Sequence, residues 1–318
     1  MKEILFLKPV FKQMIWGGNR MAAEYGYDIP GENTGECWAI SAHKNGDGVI
    51  AGGTYDGWNL SRLYAEHREL FGNSTEEVFP LLVKIIDAKA DLSIQVHPDD
   101  TYAKENENGS LGKTECWYIL DCDADATIVI GHNAKNKEDL RQMIAQDRWE
   151  ELISVRPIHK GDFFQIDPGT VHAIKAGTLI LETQQSSDVT YRLYDYGRLQ
   201  NGKPRELHIE KSIDVIGCPH KEQQESSAVC QVGKAKVQTM VTCPFYTVEK
   251  ITLTGGNQRF QTEGDYQLFS VIDGEGTLDD VAIKKGDHFI LPSGYDNYCL
   301  EGTLELMTSY TREKEEVK

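Results

Sequence analysis

The sequence feature that most constrains the fold is an internal repeat that joins a strand, a tight turn and a second strand. The segment KGDFFQIDPGTVH at 160–172 resembles KGDHFILPSGYDN at 285–297, and TLILE at 178–182 matches TLELM at 303–307. Each longer copy has Lys-Gly-Asp, an apolar strand, a turn with Pro and Gly, and a polar residue that enters the next strand. Short strands and tight turns that occur twice indicate a mainly β chain built from two double-sheet barrels.

The repeat also suggests how the chain is divided. We assign residues 1–221 to the first barrel and residues 228–318 to the second, with the polar run Glu222–Ser227 as the predicted linker. A small helical insertion is predicted near 137–153, because apolar residues recur there at helical spacing among charged ones. The insertion would pack on a sheet of the first barrel.

The two copies differ at a position that bears on function. His172 of the first copy corresponds to Asn297 of the second, and the second copy has no counterpart of the other candidate metal-binding groups. We therefore expect a metal-binding first barrel and a degenerate second barrel. The remaining histidines lack a comparable setting, and we expect them to be surface or hydrogen-bonded polar residues: His43, His67, His132, His159, His208, His220 and His288.

Four residues of the first barrel are candidate metal ligands. In Leu92–His97, apolar and polar residues alternate as in a half-buried strand, so Gln95 and His97 project from the same side. Glu115 begins another strand-like segment after a predicted polar loop, and His172 follows a Pro-Gly turn. Two imidazoles, a carboxylate and an amide oxygen suit Zn²⁺, and also Mn²⁺ or Fe²⁺. The alternative is a polar outer face with a capping histidine.

Two cationic residues are candidates for the same cavity. Lys113 lies two residues before Glu115, so on an extended chain it shares a face with that carboxylate. Arg192 follows a polar turn and could bind a phosphate or an enediolate oxygen through its guanidinium group. The alternative for Lys113 is a solvated charge at a strand end. The alternative for Arg192 is an ion pair with Asp188 or Asp195.

Composition excludes several classes of partner. The formal net charge of −17 argues against nucleic acid and anionic membranes, but a local cluster of Lys and Arg could still bind a phosphorylated small molecule. No apolar run reaches about 18 residues, so we expect no transmembrane helix. The N-terminal apolar run is interrupted by charges and does not predict a signal peptide. Seven cysteines without a CxxC pair are typical of free thiols in the cytoplasm.

Four motifs together resemble those of a known family. QVHPDD, KTECWYIL, PGTVHAI and LETQQSSDVTYRLYDYGR follow one another between residues 95 and 198, and KPVFKQMIWGG and GECWAIS precede them. This combination resembles the short bacterial form of the type I mannose-6-phosphate isomerases, a family of the cupin superfamily. The resemblance covers nearly the whole chain, whereas PGxxH alone marks only the superfamily.

The resemblance implies duplicated cupin-type jelly-roll barrels with one zinc ion per chain. It also implies interconversion of mannose 6-phosphate and fructose 6-phosphate through an enediol or enediolate. Longer members have a large helical insertion that this chain lacks, so lid and phosphate contacts from that insertion do not transfer. The site residues implied by the family motifs are the metal ligands Gln95, His97, Glu115 and His172, the active-site residues Arg192 and Lys113, and the acidic pocket residues Glu182 and Asp188.

Two other functions stay open at this point. One is a cupin that binds a sugar phosphate without catalysis, and the other is a different metal-dependent cupin enzyme. Lys113 and Arg192 beside a full ligand set favour the isomerase over a binding protein, and oxygenases of this fold are typically richer in histidine at the metal. The proton carrier is left open among Glu182, Asp188 and Lys113. We expect a monomer that takes a phosphorylated hexose.

Overall fold

The computed structural model describes residues 3–222 and 228–311 and shows a mainly β chain, as predicted. The strands, in chain order, are β1 (Leu5–Lys8), β2 (Val10–Gly18), β3 (Thr34–Ile40), β4 (Ala42–His43), β5 (Gly46–Asp47), β6 (Val49–Ile50), β7 (Leu81–Ala88), β8 (Ile94–Val96), β9 (Glu115–Cys122), β10 (Thr127–His132), β11 (Ile153–Pro157), β12 (Phe163–Ile166), β13 (His172–Ile174), β14 (Thr178–Gln185), β15 (Tyr191–Tyr194), β16 (Leu199–Gln200), β17 (Lys203–Pro204), β18 (Ala228–Val232), β19 (Ala235–Thr242), β20 (Thr247–Gln261), β21 (Gln267–Leu278), β22 (Val281–Lys284), β23 (His288–Leu291) and β24 (Asn297–Tyr310). The helices are α1 (Arg20–Tyr25), α2 (Leu60–Glu66), α3 (Asp100–Asn106), α4 (Lys137–Ala145), α5 (Trp149–Leu152) and α6 (Ile209–Val215), with a 3-10 turn at Arg68–Phe71.

Two antiparallel sheets of the N-terminal part pack face to face. The six-stranded sheet has the order β12-β9-β14-β7-β2-β3, and the five-stranded sheet has the order β11-β10-β13-β8-β15. Trp117 and Ile180 from the first sheet share one apolar core with Ile128 and Ile174 from the second. Burial of apolar surface, at roughly 25 cal/mol per Å², holds the two layers together. These layers position the candidate site.

A nine-stranded antiparallel sheet forms the C-terminal part. Its order is β18-β19-β20-β24-β21-β23-β1-β6, and β22 pairs with β21. Its side chains, among them Phe269 and Phe289, pack in a separate apolar core. Because Leu5 of β1 lies opposite Ile290 of β23, the beginning of the chain joins the sheet of its C-terminal part. The division at residues 221 and 228 stays a prediction, and residues 223–227 of the expected linker lie outside the described residues.

The two parts share a further core and a polar contact. Leu179 of the six-stranded sheet and Leu268 of the nine-stranded sheet belong to the same apolar cluster. The Tyr27 hydroxyl donates to the Gly286 carbonyl oxygen at 2.7 Å and lies 2.9 Å from Nε2 of the buried His288. His288 is therefore a hydrogen-bonded polar residue, as expected from the sequence.

The helical insertion differs in detail from the prediction. Residues 137–152 contain two helices, α4 and α5, which are separated by a turn in which Asp147 has a φ of 54°, and Ile153 begins β11. Leu140 and Ile144 are buried on the sheet side, as the helical spacing predicted. Within the described ranges, no helix has the length and apolar character needed to cross a membrane.

One loop prediction also needs correction. Part of the segment between His97 and Glu115, expected to be a polar loop, forms α3, whose N-terminal cap is the Asp99 side chain bonded to Tyr102 N. The polar turn before Arg192 divides the segment 178–197 into β14 and β15, which belong to different sheets. The turn between them carries the chain from one layer to the other.

Replacing Leu181 with Ala should destabilise the protein by about 2–5 kcal/mol, because Leu181 is buried in the shared core and truncation leaves a cavity. The matched control is Leu199→Ala, whose side chain is 60% exposed and whose truncation should cost less than about 0.5 kcal/mol. Urea unfolding followed by circular dichroism measures both values. Equal midpoints for the two variants would contradict this account of the core.

Candidate functional site

Three neighbouring strands of the five-stranded sheet carry a row of polar residues. His172 on β13 lies opposite Gln95 on β8, and Gln95 lies opposite Arg192 on β15. Residues directly opposite each other on antiparallel strands project from the same face. Ile94 and Val96, the neighbours of Gln95, are buried in a different core. Successive side chains of a strand point to opposite faces, so the row that contains Gln95 lies on the face of the sheet opposite to Ile94 and Val96.

A second row runs across the six-stranded sheet and faces the first. Trp117 on β9, Glu182 on β14, Lys84 on β7 and Trp38 on β3 lie opposite one another in succession. The Trp117 and His172 rings are 5.5 Å apart between centroids, so the two rows meet. Lys84 and Glu182 form a buried ion pair with 3.2 Å between Nζ and Oε1.

The four predicted metal ligands converge between the rows. Nε2 of His97 lies 3.2 Å from Nε2 of His172. The Glu115 oxygens Oε2 and Oε1 lie 3.4 Å and 3.5 Å from these two nitrogens. The Gln95 amide nitrogen is 3.3 Å from His172 Nε2, and a half-turn of the amide would bring its oxygen to the same point. The residues that the sequence singled out thus share one buried location.

These separations fit a tetrahedral metal ion. Ligand atoms about 2.0–2.2 Å from zinc lie about 3.3–3.6 Å apart at tetrahedral angles. His172 Nε2 lies 3.2 Å and 3.3 Å from the His97 and Gln95 nitrogens, and each imidazole lies 3.4–3.5 Å from a different oxygen of Glu115. Among the described residues, Glu115 Oε1 is buried without a hydrogen-bond partner, as expected of an oxygen that faces a cation. The cluster could therefore hold a divalent metal ion.

Backbone carbonyls orient both imidazoles for metal binding. His97 Nδ1 lies 2.8 Å from Val189 O, and His172 Nδ1 lies 2.8 Å from Thr170 O. A carbonyl oxygen only accepts, so each Nδ1 carries the hydrogen and each Nε2 lone pair faces the cluster. Burial, followed by repulsion from Lys113, lowers the pKa of His97 to about 3. Burial also lowers the pKa of His172, so both imidazoles are neutral at pH 7.

Glu115 supplies the negative charge of the cluster. Burial alone would raise the pKa of this carboxyl, but the Lys113 ammonium holds it well below its usual range. The Lys113 ammonium contacts Glu115 Oε2 and lies 3.2 Å from His97 Nε2. It also lies 3.8 Å from Glu182 Oε1. Lys113 therefore connects the cluster to the second row.

A cavity of about 530 Å³ opens between the two rows. Its size suits a ligand of the dimensions of a sugar phosphate. Its lining combines apolar and aromatic side chains with cations and carboxylates from both sheets. The lining residues are Phe11, Lys12, Gln13, Met14, Trp16, Glu36, Trp38, Asn45, Lys84, Ile86, Leu92, Ser93, Gln95, Lys113, Ile174, Glu182, Asp188, Thr190, Arg192, Arg205 and His208.

The buried charges in this cavity shift one another's pKa values. Burial alone would lower the pKa of Lys84, but Glu182, Glu36 and Glu115 together raise it. Burial and repulsion from Glu115 raise the pKa of Glu182, although Lys113 and Lys84 lie close to it. A carboxyl group with a raised pKa between two ammonium groups is suited to take up and return a proton.

Arg192 and Asp188 complete the predicted catalytic set. Arg192 Nη1 donates to Glu206 O at 2.9 Å, and its Nε is buried without a hydrogen-bond partner in the described part of the chain. Asp188 accepts from Asn45 Nδ2 at 2.5 Å and lies 3.6 Å from His43 Nε2. The Asp188 side chain is 40% exposed, so it lies at the mouth of the cavity.

Sequence reasoning missed part of the cavity wall. Lys84 is the charged residue inside the apolar run 79–86, and a charge in a buried strand signals a partner or a function. His208 accepts a hydrogen bond from Arg192 N, as its expected class of surface or hydrogen-bonded residues allows, and it also lines the cavity. Arg205, which also lines it, lies in a polar segment without periodicity. Only the packing of that segment against β15 reveals Arg205.

The facing sheets, with a buried His-Glu-His cluster that could hold a metal ion, define a cupin-type class of protein. Residues 236–311 match the family described as "Mannose-6-phosphate isomerase, cupin domain". Residues 4–121 match "Phosphomannose isomerase type I, catalytic domain".

Named relatives match the chain along its length. It is 50% identical to a mannose-6-phosphate isomerase of Streptococcus mutans, covering 98% of this chain and all of that protein. It is 49% identical to mannose-6-phosphate isomerase ManA of Bacillus subtilis, over 97% of this chain and 99% of that one. The chain belongs to the type I phosphomannose isomerase family.

Solved structures agree with this assignment. The crystal structure of a mannose 6-phosphate isomerase from Bacillus subtilis matches with a TM-score of 0.95 and 45% identity, over 97% of this chain and all of that one. The apo form of mannose 6-phosphate isomerase from Salmonella typhimurium matches with a TM-score of 0.78 and 16% identity, over 98% of this chain and all of that one. The second likeness, at this identity, bears on the fold alone.

Added Zn²⁺ should raise the unfolding temperature of chelator-treated protein, because an ion bound only by the folded state stabilises it by about 2.7 kcal/mol at 100 times its Kd. His172→Ala should lose this shift and the bound metal. His159→Ala is the control, since the His159 side chain is 78% exposed and lies outside the cluster. Calorimetry and elemental mass spectrometry measure the two effects. An unchanged shift in His172→Ala would exclude the cluster as the metal site.

Proposed function

We propose that this chain is a metal-dependent aldose–ketose isomerase that interconverts mannose 6-phosphate and fructose 6-phosphate. The observation that carries the proposal is the buried cluster of His97, Glu115 and His172 beside a cavity that also contains Lys113 and Glu182. Membership of the type I phosphomannose isomerase family supports this substrate pair. The reaction moves a proton between C2 and C1 of the open-chain sugar and places negative charge on O1 and O2.

The proposed metal is zinc, held by Gln95, His97, Glu115 and His172. Two neutral imidazoles, one ionised carboxylate and an amide oxygen form the donor set, and the backbone bonds of both histidines keep their Nε2 atoms in place. When bound, such an ion polarises the sugar oxygens on which charge develops. Lys113 keeps Glu115 ionised and adds positive charge on the cavity side of the cluster.

Glu182 is the proposed proton carrier. Its carboxyl is buried, pairs with Lys84 at 3.2 Å and lies 3.8 Å from Lys113. The raised pKa of Glu182 brings proton uptake closer to neutral pH, and its position inside the cavity gives it access to a bound sugar. Asp188 is bonded to Asn45 at the cavity mouth. We therefore assign Asp188 to substrate entry rather than to proton transfer.

Arg192 is the proposed stabiliser of the enediolate. It lies opposite Gln95 in the register of β15 and β8, one strand away from the cluster. Its guanidinium is charged at every relevant pH, although burial and the neighbouring Arg205 lower its pKa. A fixed cation next to oxygens that become negative lowers the barrier without rearranging during the reaction.

We place the enzyme in the cytoplasm as a monomer. All seven cysteines are free, including the buried Cys37 and Cys116, which suits a reducing compartment. The proposed ligands and catalytic groups all come from a single chain, so one chain can form the complete site. Light scattering would test the monomer, and a single species near 35.8 kDa is the expected result.

A coupled assay with mannose 6-phosphate should show conversion by the purified protein, loss of conversion after chelation and its return with added Zn²⁺. The physical reason is that the proposed ion stabilises charge on the substrate oxygens. Binding of mannose 6-phosphate in calorimetry without any conversion would make the chain a sugar-phosphate-binding protein. Conversion that survives complete removal of metal would contradict the metal-dependent reaction.

Arg192→Gln should keep the bound metal and lose turnover by about 10²–10³-fold, the usual effect of removing one group that stabilises developing charge. Arg141→Gln is the control. It removes the same positive charge from helix α4, where the Arg141 side chain is 45% exposed. Elemental analysis and the coupled assay give the two readouts. Full turnover by Arg192→Gln would remove this residue from the mechanism.

A further inference from the structure

Arg205 and His208 extend the cavity beyond the edge of the five-stranded sheet. β15 is the edge strand, and the backbone of His208 lies beside it, with His208 N donating to Arg192 O at 2.8 Å. Neighbouring strands are about 4.8 Å apart, so His208 lies roughly two spacings from Gln95. Gln95, which is the ligand that lines the cavity, and this second group of residues thus lie at different ends of the same cavity.

Positive charge accumulates at this second end. Asp195 is nearly buried and accepts from two guanidinium groups, from Arg205 Nε at 2.7 Å and from Arg198 Nη2 at 2.5 Å. Arg192 is the third guanidinium group near this single buried carboxylate. The nearby Glu206 is exposed, so solvent screens its charge. In a chain of formal net charge −17, such a local excess of cations points to an anionic ligand.

Both cavity-lining residues have hydrogen-bond donors to spare. Arg205 uses Nε and Nη2 for Asp195, and its Nη1 has no hydrogen-bond partner within the described residues. The Nδ1 atom of His208 accepts from Arg192 N at 3.1 Å, so the neutral ring carries its hydrogen on Nε2. A guanidinium and an imidazole donor suit the oxygens of a phosphate group.

The other buried cations of the cavity are already paired. Lys84 pairs with Glu182, and Lys113 contacts Glu115. Lys12 is the rival candidate, because it lines the opposite wall and bonds to the Asn45 backbone oxygen without a carboxylate contact in the described structure. Lys12 is one flexible cation, whereas the side chain of Arg205 is only 10% exposed and is held by two bonds to Asp195.

We propose that Arg205 and His208 bind the phosphate group of the substrate and so select phosphorylated hexoses over free hexoses. This inference rests on the proposed isomerase function, because that function places the carbonyl end of the sugar at the metal cluster. The phosphate, at the far end of the six-carbon chain, then meets the cations beyond β15. Arg192, between the two ends, keeps its place beside the reacting oxygens.

The test compares Arg205→Gln with Arg198→Gln. Both variants remove one positive charge and one partner of Asp195, but only Arg205 lines the cavity. Arg205→Gln should raise the KM for mannose 6-phosphate and the Kd for inorganic phosphate by about 10- to 100-fold, as expected for a lost charge-assisted hydrogen bond, with kcat nearly unchanged. Arg198→Gln should change neither constant by more than about twofold.

Inorganic phosphate is titrated by calorimetry into protein with and without chelator, because the proposed binding does not need the metal. His208→Asn is a second variant that keeps an acceptor for Arg192 N and removes the Nε2 donor. It should raise the Kd for inorganic phosphate by about 3- to 10-fold, the loss of a neutral hydrogen bond. Unfolding temperatures show whether each variant is folded. If Arg205→Gln does not fold, the Kd of His208→Asn decides whether this end of the cavity binds phosphate.

Three outcomes would overturn the proposal. Equal losses of phosphate affinity in Arg205→Gln and Arg198→Gln would indicate that the summed positive charge, rather than Arg205 itself, attracts the phosphate. Unchanged KM and Kd values in Arg205→Gln and His208→Asn would exclude this end of the cavity as the phosphate site. A loss confined to Lys12→Gln would place the phosphate at the opposite wall. If wild-type protein binds inorganic phosphate through Arg205 but never converts mannose 6-phosphate, the isomerase assignment fails, whereas the anion site itself stands.

Discussion

The structure depends on the neutralisation of charges that two packed sheets remove from water. Glu115 and Glu182 are buried carboxylates. The buried Lys113 ammonium contacts Glu115, and the buried Lys84 ammonium lies 3.2 Å from Glu182. An isolated buried charge is costly, so each of these groups requires its neighbours. The same groups set the chemistry, since Lys113 keeps Glu115 ionised, and burial together with Glu115 raises the pKa of Glu182.

The two sheets supply different parts of the reaction. The five-stranded sheet contributes His172, Gln95 and Arg192 in one row, which brings ligand and charge-stabilising groups into register. The six-stranded sheet contributes Glu182, the proposed proton carrier, and its ion-pair partner Lys84. Rigid strands on both sides keep these groups in place, and an enzyme that stabilises developing charge needs such fixed dipoles and charges.

Local patterns of the sequence were enough to predict the mainly β fold. They were also enough to predict that Gln95 and His97 project from the same side, because alternation along one strand decides which side chains share a face. Patterns along the chain could not show which strands pair. The place of Lys84 opposite Glu182 and the division of β14 and β15 between two sheets depend on that register. Arg205 lies in a segment without periodicity, so only tertiary packing brings it to the cavity.

The central claim is that two imidazoles, His97 directly after β8 and His172 on β13, hold one metal ion together with oxygen ligands. X-ray absorption spectroscopy at the edge of the bound metal tests it most directly on the purified protein. The account predicts nitrogen and oxygen ligands at about 2.0–2.2 Å, with the outer-shell signal of two imidazole rings. Sulfur ligands at about 2.3 Å, or the absence of imidazole scattering, would contradict it.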